Sequence, residues 1–356
     1  MKEKYAERLT KIEEYLQTIL PEKVNKNWKD AVVGNFSQVT APEKLKNEFL
    51  DMINAPARDL LGRGGKRWRP VLMTLFYELY RGDDRILPLT PLVELPHNGT
   101  LIVDDIEDSS DFRRGKPAVH LLYGTDVSIN TGNLLYFLPH VLIDSCDFSD
   151  EIKLSAYRYY SETMTRLHIG QGLDIQWHNC DYIPTVDEYM AMCSFKTGGL
   201  ALFSGRMGVR AGGGSEMDAL RMGTACEAMG IGFQIVDDVT NLVTGNPGKK
   251  RGDDIVEGKK SLPVILFREN GGDMKRLSEF FSIAGKLGID AGNDAVEEAI
   301  ALIQKSGALE LALAEAHRIL DSSRDRILSA YKPCEALDII AYIFDSFAKS
   351  VKLEEK

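Results

Sequence analysis

Four acidic residues lie within five positions directly after an apolar stretch of helical character. They are Asp104, Asp105, Glu107 and Asp108. Asp104 and Asp108 are four positions apart, so they share one face of a helix. Like charges at this spacing cost a helix about 0.2–0.5 kcal/mol per pair, and Asp is a poor residue inside a helix, so local stability does not favour a merely solvated face. A multivalent cation would cancel the repulsion, and Mg²⁺ suits carboxylate oxygens while accepting phosphate oxygens as further ligands.

A second acidic cluster lies more than a hundred residues downstream. Asp237 and Asp238 follow apolar residues, and Asn241 comes four positions after Asp237. Helical bundles build metal sites from carboxylates on facing helices, so we expect the two clusters to meet across a bundle core. Asn241 offers an oxygen, directly or through water, but contributes no charge.

Several groups of basic residues could bind phosphate beside the two acidic clusters. Lys66, Arg67 and Arg69 lie beside paired glycines, ahead of a helix that Pro70 can start. Glycine-flanked backbone and a helix N-terminus both attract phosphate, and Arg adds bidentate geometry. Arg113 and Arg114 follow the first acidic cluster, where cations also suit the end of a helix dipole. Further cations near the second cluster are Lys196, Lys249, Lys250, Arg251, Lys259 and Lys260.

The elements that position these residues are predicted to be helices. Apolar residues recur at three- and four-residue spacing, as in Leu72, Leu75, Phe76 and Leu79, and alternating runs are scarce. Proline and glycine breakers, Pro56 among them, divide the chain into roughly a dozen helices. We expect an all-α protein and a single domain over residues 1–356, a large helical bundle with residues 1–60 as peripheral helices.

Composition limits the possible partners. The chain has 356 residues, 44% of them hydrophobic, which is enough for a full core. Acidic residues number 53 against 43 Lys plus Arg, and this net charge of -10 argues against a nucleic-acid-binding surface. We expect a soluble protein, because the N-terminus is charged and no apolar run approaches the ~18 residues of a membrane span. The five cysteines have neither disulfide nor zinc-site spacing, so a reducing cytoplasm is the expected compartment.

Together these motifs resemble those of the trans-prenyltransferases (trans-isoprenyl diphosphate synthases), especially the geranylgeranyl diphosphate synthase branch. The similarity runs from about residue 58 to residue 263. It rests on five elements in order: Gly65-Lys66-Arg67-Trp68-Arg69-Pro70, Asp104-Asp105-x-x-Asp108 with Arg113-Arg114-Gly115, Lys196-Thr197, Phe233-Gln234-x-x-Asp237-Asp238, and Gly258-Lys259. The second aspartate motif departs from many relatives, which carry a third Asp where this chain has Asn241.

The resemblance implies an isoprenoid-synthase-type bundle with a central active-site cavity, and a homodimer. In such enzymes Mg²⁺ ions bridge the diphosphate of the allylic substrate; the matching ligands here are Asp104, Asp108 and Asp237. Positions that match contacts to the allylic diphosphate are Arg113, Lys196, Thr197, Gln234 and Lys259, with Lys249 a looser match. Positions that match the isopentenyl diphosphate site are Lys66, Arg69, His97 and Arg114. The implied catalytic set is Asp104, Asp108, Lys196 and Asp237.

The implied reaction is a head-to-tail (1′-4) condensation of isopentenyl diphosphate with an allylic prenyl diphosphate. A class I terpene cyclase is an alternative, because it also ionises a prenyl diphosphate with aspartate clusters. Such a cyclase has no second diphosphate to hold, and Lys66 with Arg69 argues against it. A non-catalytic regulatory subunit is a second alternative, although that class predicts lost aspartates or cations, and the first cluster is intact here.

Product length is predicted from the residues just before the first aspartate cluster. In this family the residues four and five positions before the first Asp line the floor of the product tunnel; here they are Thr100 and Gly99. They lie roughly 6–7.5 Å along the helix from Asp104, comparable to one isoprene unit. Relatives that stop at farnesyl place aromatic rings there. We therefore expect a product longer than farnesyl, geranylgeranyl diphosphate first and C25 to C30 as the longer alternative, with Tyr136 or Phe137 either closing the tunnel or belonging to the core.

Overall fold

The computed structural model describes residues 1–33, 44–245, 250–288 and 294–351. Within these ranges the chain is almost entirely helical, which confirms the all-α prediction. The helices are α1 (Lys2–Ile19), α2 (Lys26–Val32), α3 (Asn47–Gly62), α4 (Trp68–Glu78), α5 (Pro91–Glu107), α6 (Val119–Tyr123), α7 (Thr125–Ser145), α8 (Asp150–His178), α9 (Val186–Cys193), α10 (Gly199–Gly212), α11 (Glu216–Val243), α12 (Asp253–Val256), α13 (Leu262–Glu269), α14 (Met274–Leu287), α15 (Asp294–Lys305), α16 (Ala308–Leu328) and α17 (Glu335–Ala348). The strands β1 (Phe112–Arg113) and β2 (Lys116–Pro117) form one short antiparallel pair.

The helices in the described ranges are more numerous than the breaker pattern predicts, and their boundaries differ. Several are short, such as α6 and α12. Pro56 lies inside α3, although we expected it to break a helix, and Pro96 and Pro139 likewise lie inside α5 and α7. All three prolines are buried. Proline removes one helical hydrogen bond, and we attribute its tolerance here to the packing of these helix faces, which local propensity does not include.

The chain divides into two compact units. The first contains Met1–Tyr160 and Arg206–Ala219, and the second contains Ser161–Gly205 and Leu220–Lys356. Helices α8, α10 and α11 contribute residues to both units. The expectation of one domain over residues 1–356 stays a prediction.

The N-terminal helix α1 packs one face on its own unit and leaves the other in solvent. Ile12 and Leu16 are buried, whereas most of the remaining side chains of α1 are exposed or half-buried. Ion pairs help to hold the helix in place: Arg8 pairs with Glu78 of α4 at 2.6 Å, Lys11 with Asp84 at 2.7 Å, and Glu13 with Arg67 at 2.8 Å. This helix is therefore attached by charge as well as by apolar burial.

The two longest helices, α8 and α11, contain both charged and apolar residues. α8 has 29 residues and α11 has 28, and charged side chains occur along both. Among the described residues, no helix combines the length and the apolar character that a bilayer crossing requires.

In the first unit, two glycines bring α5 and α7 into close contact. A Cβ atom added at Gly132 would lie 2.6 Å from Cγ2 of Val103 and 3.2 Å from the carbonyl oxygen of Gly99. A Cβ atom added at Gly99 would lie 2.9 Å from the carbonyl oxygen of Gly132. The two backbones meet where side chains are absent, and this fixes the position of the helix that carries the first acidic cluster.

In the second unit, glycines enclose a π-helical turn between α9 and α10. The turn spans Ser194–Gly198, so the helical path continues from α9 into α10 with one wider turn. A Cβ atom at Gly170 of α8 would lie 2.5 Å from the backbone nitrogen of Lys196. A Cβ atom at Gly230 of α11 would lie 2.8 Å from Cα of Gly198. Single π-turns inside helices are frequent at functional sites, and this one carries Lys196 and Thr197.

The close contact of α5 and α7 predicts a stability difference between two glycine substitutions. Gly132→Ala is expected to lower the free energy of unfolding by about 1–3 kcal/mol, because the added methyl group overpacks the crossing. Gly172→Ala is the matched control in α8, since no atom lies within 4 Å of its added Cβ. That change is expected to stabilise by about 0.5–1 kcal/mol through helix propensity. Urea unfolding followed by circular dichroism measures both; equal effects would refute the crossing argument.

Candidate active site

The first acidic cluster lies in the last turn of α5. The backbone N–H of Asp108 donates to the carbonyl of Asp104 at 2.8 Å, so the two residues are one turn apart on one face. Both are half-buried, whereas the neighbouring Asp105 is fully buried. The two partly exposed carboxylates, predicted as metal ligands, are thus presented together, and the buried one points elsewhere.

Arg113 explains the orientation of the doublet. Its Nε atom donates to Oδ1 of Asp105 at 2.7 Å, and one terminal nitrogen lies 3.3 Å from Oδ2 of Asp104. The residue is on β1, in a short hairpin that returns toward the end of α5. Arg114 occupies the turn of this hairpin with a positive φ of 52°. We expected both guanidinium groups at the end of α5. The hairpin instead directs the two side chains to different partners, Arg113 to Asp105 and Arg114 to Asn98.

Arg114 belongs to a group of cations around His97. Burial lowers the pKa of His97 well below its ordinary value, and the neighbouring guanidinium charges lower it further. Those charges belong to Arg69, Arg114, Arg67 and Arg113. The imidazole is therefore neutral and has one donor and one acceptor nitrogen. Burial, together with the charge of Arg67, lowers the pKa of Arg114 to about 10.

Three of the four residues predicted for the isopentenyl diphosphate site, Arg69, His97 and Arg114, thus act on one another electrostatically. Lys66, the fourth, lies just before Arg67 in the segment that leads into α4. The structure describes all four within the first unit.

The second aspartate pair repeats the arrangement of the first. Asp237 of α11 is half-buried, while Asp238 is buried and accepts two hydrogen bonds. The donors are the hydroxyl of Tyr189 at 2.7 Å and the amide Nε2 of Gln234 at 2.8 Å. Gln234 in turn accepts the hydroxyl of Thr197 at 2.7 Å through Oε1. Thr197, Gln234 and Asp238 are therefore linked in one chain of hydrogen bonds, directly beside the predicted metal ligand Asp237.

The environment of Asp238 is unusual for a carboxylate. Burial raises the pKa of Asp238, and the nearby charges of Asp237 and Asp174 raise it further, while the hydrogen bonds from Tyr189 and Gln234 oppose the rise. Burial also raises the pKa of Tyr189 well above its ordinary value, so its hydroxyl keeps its proton and donates.

The lysines predicted for the allylic diphosphate have acidic partners. Nζ of Lys196 lies 2.5 Å from Oδ2 of Asp174 on α8, and Nζ of Lys259 lies 2.5 Å from Oε2 of Glu257. Both lysine side chains keep part of their surface in solvent. Lys249 lies outside the described residues.

Asn241 has its side-chain oxygen engaged by backbone. Its Oδ1 accepts the N–H of Asp254 at 3.3 Å, and its carbonyl accepts the N–H of Gly252 at 3.0 Å. These bonds attach the start of α12 to the end of α11. The residue that departs from the three-aspartate pattern therefore holds the loop that leads to Lys259.

The donor set fits Mg²⁺. Asp104, Asp108 and Asp237 supply hard carboxylate oxygens at partly exposed positions. Among the described residues, no three His, Cys, Asp or Glu side chains are gathered closely enough to hold a metal ion by themselves. Mg²⁺ is usually held by one or two carboxylates, waters and substrate phosphates, so an incomplete set of protein ligands suits it.

Several positioning residues were not predicted from the sequence. Asp105 and Asp238 were treated as parts of their clusters, although residues i and i+1 of a helix face different directions, and this signal could have separated them. Tyr189 is 49 positions from Asp238, and Asp174 is 22 positions from Lys196. Nothing in local spacing identifies such partners.

The residues predicted to control product length lie beside Tyr136. Gly99 is buried, and a Cβ atom there would lie 2.9 Å from Cε1 of Tyr136. Thr100 is half-buried, and its hydroxyl donates to the carbonyl of His97 at 2.8 Å. Burial raises the pKa of Tyr136, as do the charges of Glu107 and Asp104, so its phenol lies within reach of the first acidic cluster. Gly99 therefore borders α7 and its tyrosine, while Thr100 keeps an exposed part.

Comparisons with known proteins agree with this arrangement. Residues 50–299 match the polyprenyl synthetase family. The chain is 34% identical over 227 residues to a geranylgeranyl pyrophosphate synthase of Apiospora sacchari, a match covering 63% of this chain and 66% of that protein. It is 32% identical over 335 residues to a geranylfarnesyl diphosphate synthase of Aeropyrum pernix, covering 91% of this chain and 99% of that protein.

A solved structure gives the same result. The crystal structure of geranylgeranyl pyrophosphate synthetase from Pyrococcus horikoshii matches with a TM-score of 0.82 and 28% identity, covering 98% of each chain. The family match covers most of the chain, and the Aeropyrum relative matches along nearly its whole length. The chain therefore belongs to the polyprenyl synthetase family and is a trans-prenyltransferase.

Proposed function

We propose that this enzyme joins isopentenyl diphosphate head to tail (1′-4) to an allylic prenyl diphosphate in a Mg²⁺-dependent reaction. The observation that carries the proposal is the presence of two differently built groups of charged side chains in the first unit. Carboxylates lie at the end of α5 at Asp104 and Asp108, whereas cations lie around the neutral His97. The first set suits a diphosphate that binds with metal ions, and the second suits a diphosphate held by Arg and Lys. This supports two diphosphate substrates.

The side chains support a dissociative substitution. Bound Mg²⁺ would stabilise the negative charge that develops on the leaving pyrophosphate. Arg113, beside the first acidic cluster, would add donors to the same charge, as an electrostatically preorganised site does. The resemblance to trans-prenyltransferases implies the same role for Lys196 and Lys259. The bond between C1 of the allylic substrate and its diphosphate oxygen breaks, and C4 of isopentenyl diphosphate bonds to C1. A proton then leaves C2 of the isopentenyl unit for the released pyrophosphate, so no side chain is needed as a base.

The first test is product analysis. Purified enzyme with isopentenyl diphosphate, farnesyl diphosphate and Mg²⁺ is expected to give a longer prenyl diphosphate, and a chelator is expected to abolish it. Asp104→Asn should lower turnover about 100-fold or more, because one carboxylate that holds metal and leaving-group charge is lost. Asp126→Asn, which removes an exposed carboxylate at the start of α7, is the control and should keep wild-type turnover.

The same assay separates the alternatives. A class I cyclase would release a hydrocarbon from geranylgeranyl diphosphate alone, and a regulatory subunit would turn over neither substrate without a partner. Turnover that survives in Asp104→Asn would contradict the metal assignment.

We further propose that the product is geranylgeranyl diphosphate or longer. Names of relatives support this range, since they include geranylgeranyl and geranylfarnesyl diphosphate synthases. Thr100, between His97 and Asp104 on α5, has no aromatic ring to block a growing chain. Tyr136 lies beside Gly99 and supplies the next bulky group. We assign Thr100 as the floor residue and Tyr136 as a candidate for the closing wall.

Thr100→Phe is expected to shift the main product toward farnesyl diphosphate when dimethylallyl or geranyl diphosphate is the primer. The phenyl ring fills about one isoprene length of the tunnel at this position. Thr100→Val keeps the volume and should keep the wild-type product distribution. Product chromatography measures both; an unchanged distribution in Thr100→Phe removes Thr100 as a floor residue.

A homodimer is also part of the proposal. Large apolar side chains are exposed along α6 and α7 of the first unit; they are Leu121, Leu122, Tyr123, Val127, Ile129 and Phe137. Large apolar side chains left exposed on neighbouring helices are a common feature of protein interfaces. A second copy of the chain is the occupant that we propose, because the resemblance to trans-prenyltransferases implies a homodimer.

Sedimentation velocity is expected to give twice the chain mass of 39.7 kDa. Leu122→Lys should shift the enzyme toward monomer, because the charge would be buried in the interface. Met217→Lys places the same charge on an exposed apolar position outside this surface and should leave the dimer intact. A wild-type monomer at micromolar concentration would refute the dimer.

A cytoplasmic location completes the proposal. The five cysteines are free thiols, and thiols persist in a reducing compartment. Recovery of the enzyme from the membrane or secreted fraction of fractionated cells would contradict this location.

A further inference from the structure

Arg67 is a buried cation with two carboxylate partners. Its side chain is 0% exposed. Nε donates to Glu13 of α1 at 2.8 Å, and one terminal nitrogen donates to Glu94 of α5 at 2.7 Å. The other terminal nitrogen donates to the carbonyl of Leu61 at 2.6 Å. A guanidinium with this many fixed partners inside the protein has no surface left to offer a substrate.

The backbone at Arg67 is unusual. Its φ is +46°, in the left-handed region that residues with a side chain rarely adopt. Such a conformation is strained for a residue with a side chain and persists only where the surroundings hold it. The conformation occurs between Lys66 and Arg69, so it sets the directions in which these two predicted substrate ligands leave the chain.

A second chain of hydrogen bonds leads from Arg67 to Arg114. Glu94, which pairs with Arg67, also accepts Nδ2 of the buried Asn98 at 2.6 Å. Oδ1 of Asn98 accepts a guanidinium nitrogen of Arg114 at 3.2 Å. Arg67 is thus connected to three of the residues proposed to bind isopentenyl diphosphate: to Lys66 and Arg69 through the backbone, and to Arg114 through Glu94 and Asn98.

The N-terminal helix is part of the same arrangement. Besides the pair between Glu13 and Arg67, the hydroxyl of Tyr5 donates to the carbonyl of Lys66. Both contacts join α1 to the start of the basic segment, residues 66–69, one to Lys66 and the other to Arg67. The other ion pairs of α1, through Arg8 and Lys11, reach Glu78 and Asp84 instead. Removing any of these ion pairs would loosen α1, but only the pair between Glu13 and Arg67 contacts the segment that carries Lys66 and Arg69.

We propose that Arg67 is a positioning residue for the isopentenyl diphosphate site, and that α1, through Glu13, is a working part of that site. This inference rests on the proposed function, since it assigns a role within the same reaction. Arg67 acts through Lys66, Arg69 and Arg114 and does not touch the substrate itself.

The test separates affinity for the two substrates. Glu13→Gln keeps the side-chain shape and removes the charge opposite Arg67, so the KM for isopentenyl diphosphate should rise about fivefold, as expected for a half-buried ion pair. The KM for the allylic substrate and kcat should stay within about twofold of wild type, because Glu13 has no contact with the acidic clusters. Arg67→Lys keeps the charge but loses the forked geometry, and it should raise the same KM at least as much.

Glu78→Gln is the matched control, because it removes the partly buried ion pair between Arg8 of α1 and Glu78 and leaves Arg67 unchanged. It should lower the thermal midpoint as much as Glu13→Gln while keeping the wild-type KM for isopentenyl diphosphate. If both variants raise that KM equally, general loosening of α1 explains the effect and the inference is wrong. A Glu13→Gln variant with a wild-type KM also overturns it.

Direct binding distinguishes this inference from the proposed function. Calorimetric titration with a thiolodiphosphate analogue of isopentenyl diphosphate should show the same fivefold loss of affinity in Glu13→Gln without any turnover. Wild-type enzyme that neither binds the analogue nor condenses isopentenyl diphosphate refutes the proposed function, and the inference with it. Wild-type binding with no loss in Glu13→Gln refutes the inference alone.

Discussion

Adjacent carboxylates repel each other, and both aspartate doublets of this enzyme separate them in the same way. The second carboxylate of each pair is buried on internal donors: Asp105 on Arg113, and Asp238 on Tyr189 and Gln234. Neighbouring residues of a helix point about 100° apart, so burying one leaves the other directed toward solvent. In each unit the predicted metal ligand thus keeps a partly exposed carboxylate, because the neighbouring carboxylate is already occupied by donors inside the protein.

This arrangement works only if the helices that carry the doublets are held firmly. Glycines provide the close approach: Gly99 and Gly132 between α5 and α7, and Gly170 and Gly230 around the π-turn that carries Lys196. Because these contacts involve backbone atoms, they leave little freedom for the helices to rotate or slide. The carboxylates and lysines are thus oriented before any ligand arrives, which is the condition for electrostatic catalysis.

The sequence predicted the helical class and the family, and it named candidate site residues, because helical periodicity and motif spacing are local properties. It did not predict how many helices form or where they end, since short helices such as α6 and α12 add to the number and Pro56 is accommodated inside α3 by tertiary packing. It also did not identify the partners that orient the site. Arg67 and Glu13 are 54 positions apart, and only the fold brings them together. Sequence motifs therefore named the groups that we propose to meet the substrate, while the groups that hold them required the structure.

Helix α5 sets the distance between the two proposed diphosphate sites. His97 and Asp104 are seven residues apart, which is two helical turns, so they lie on one face and about 10 Å apart along the axis. Thr100 lies between them on that face, one turn before Asp104. A diphosphate on the cations near His97 and a metal-bound diphosphate at Asp104 would leave their hydrocarbon parts to meet in between. The net charge of -10 gives no hint of this arrangement, because a sum over the chain does not show that the carboxylates at the end of α5 and the cations around His97 form separate groups.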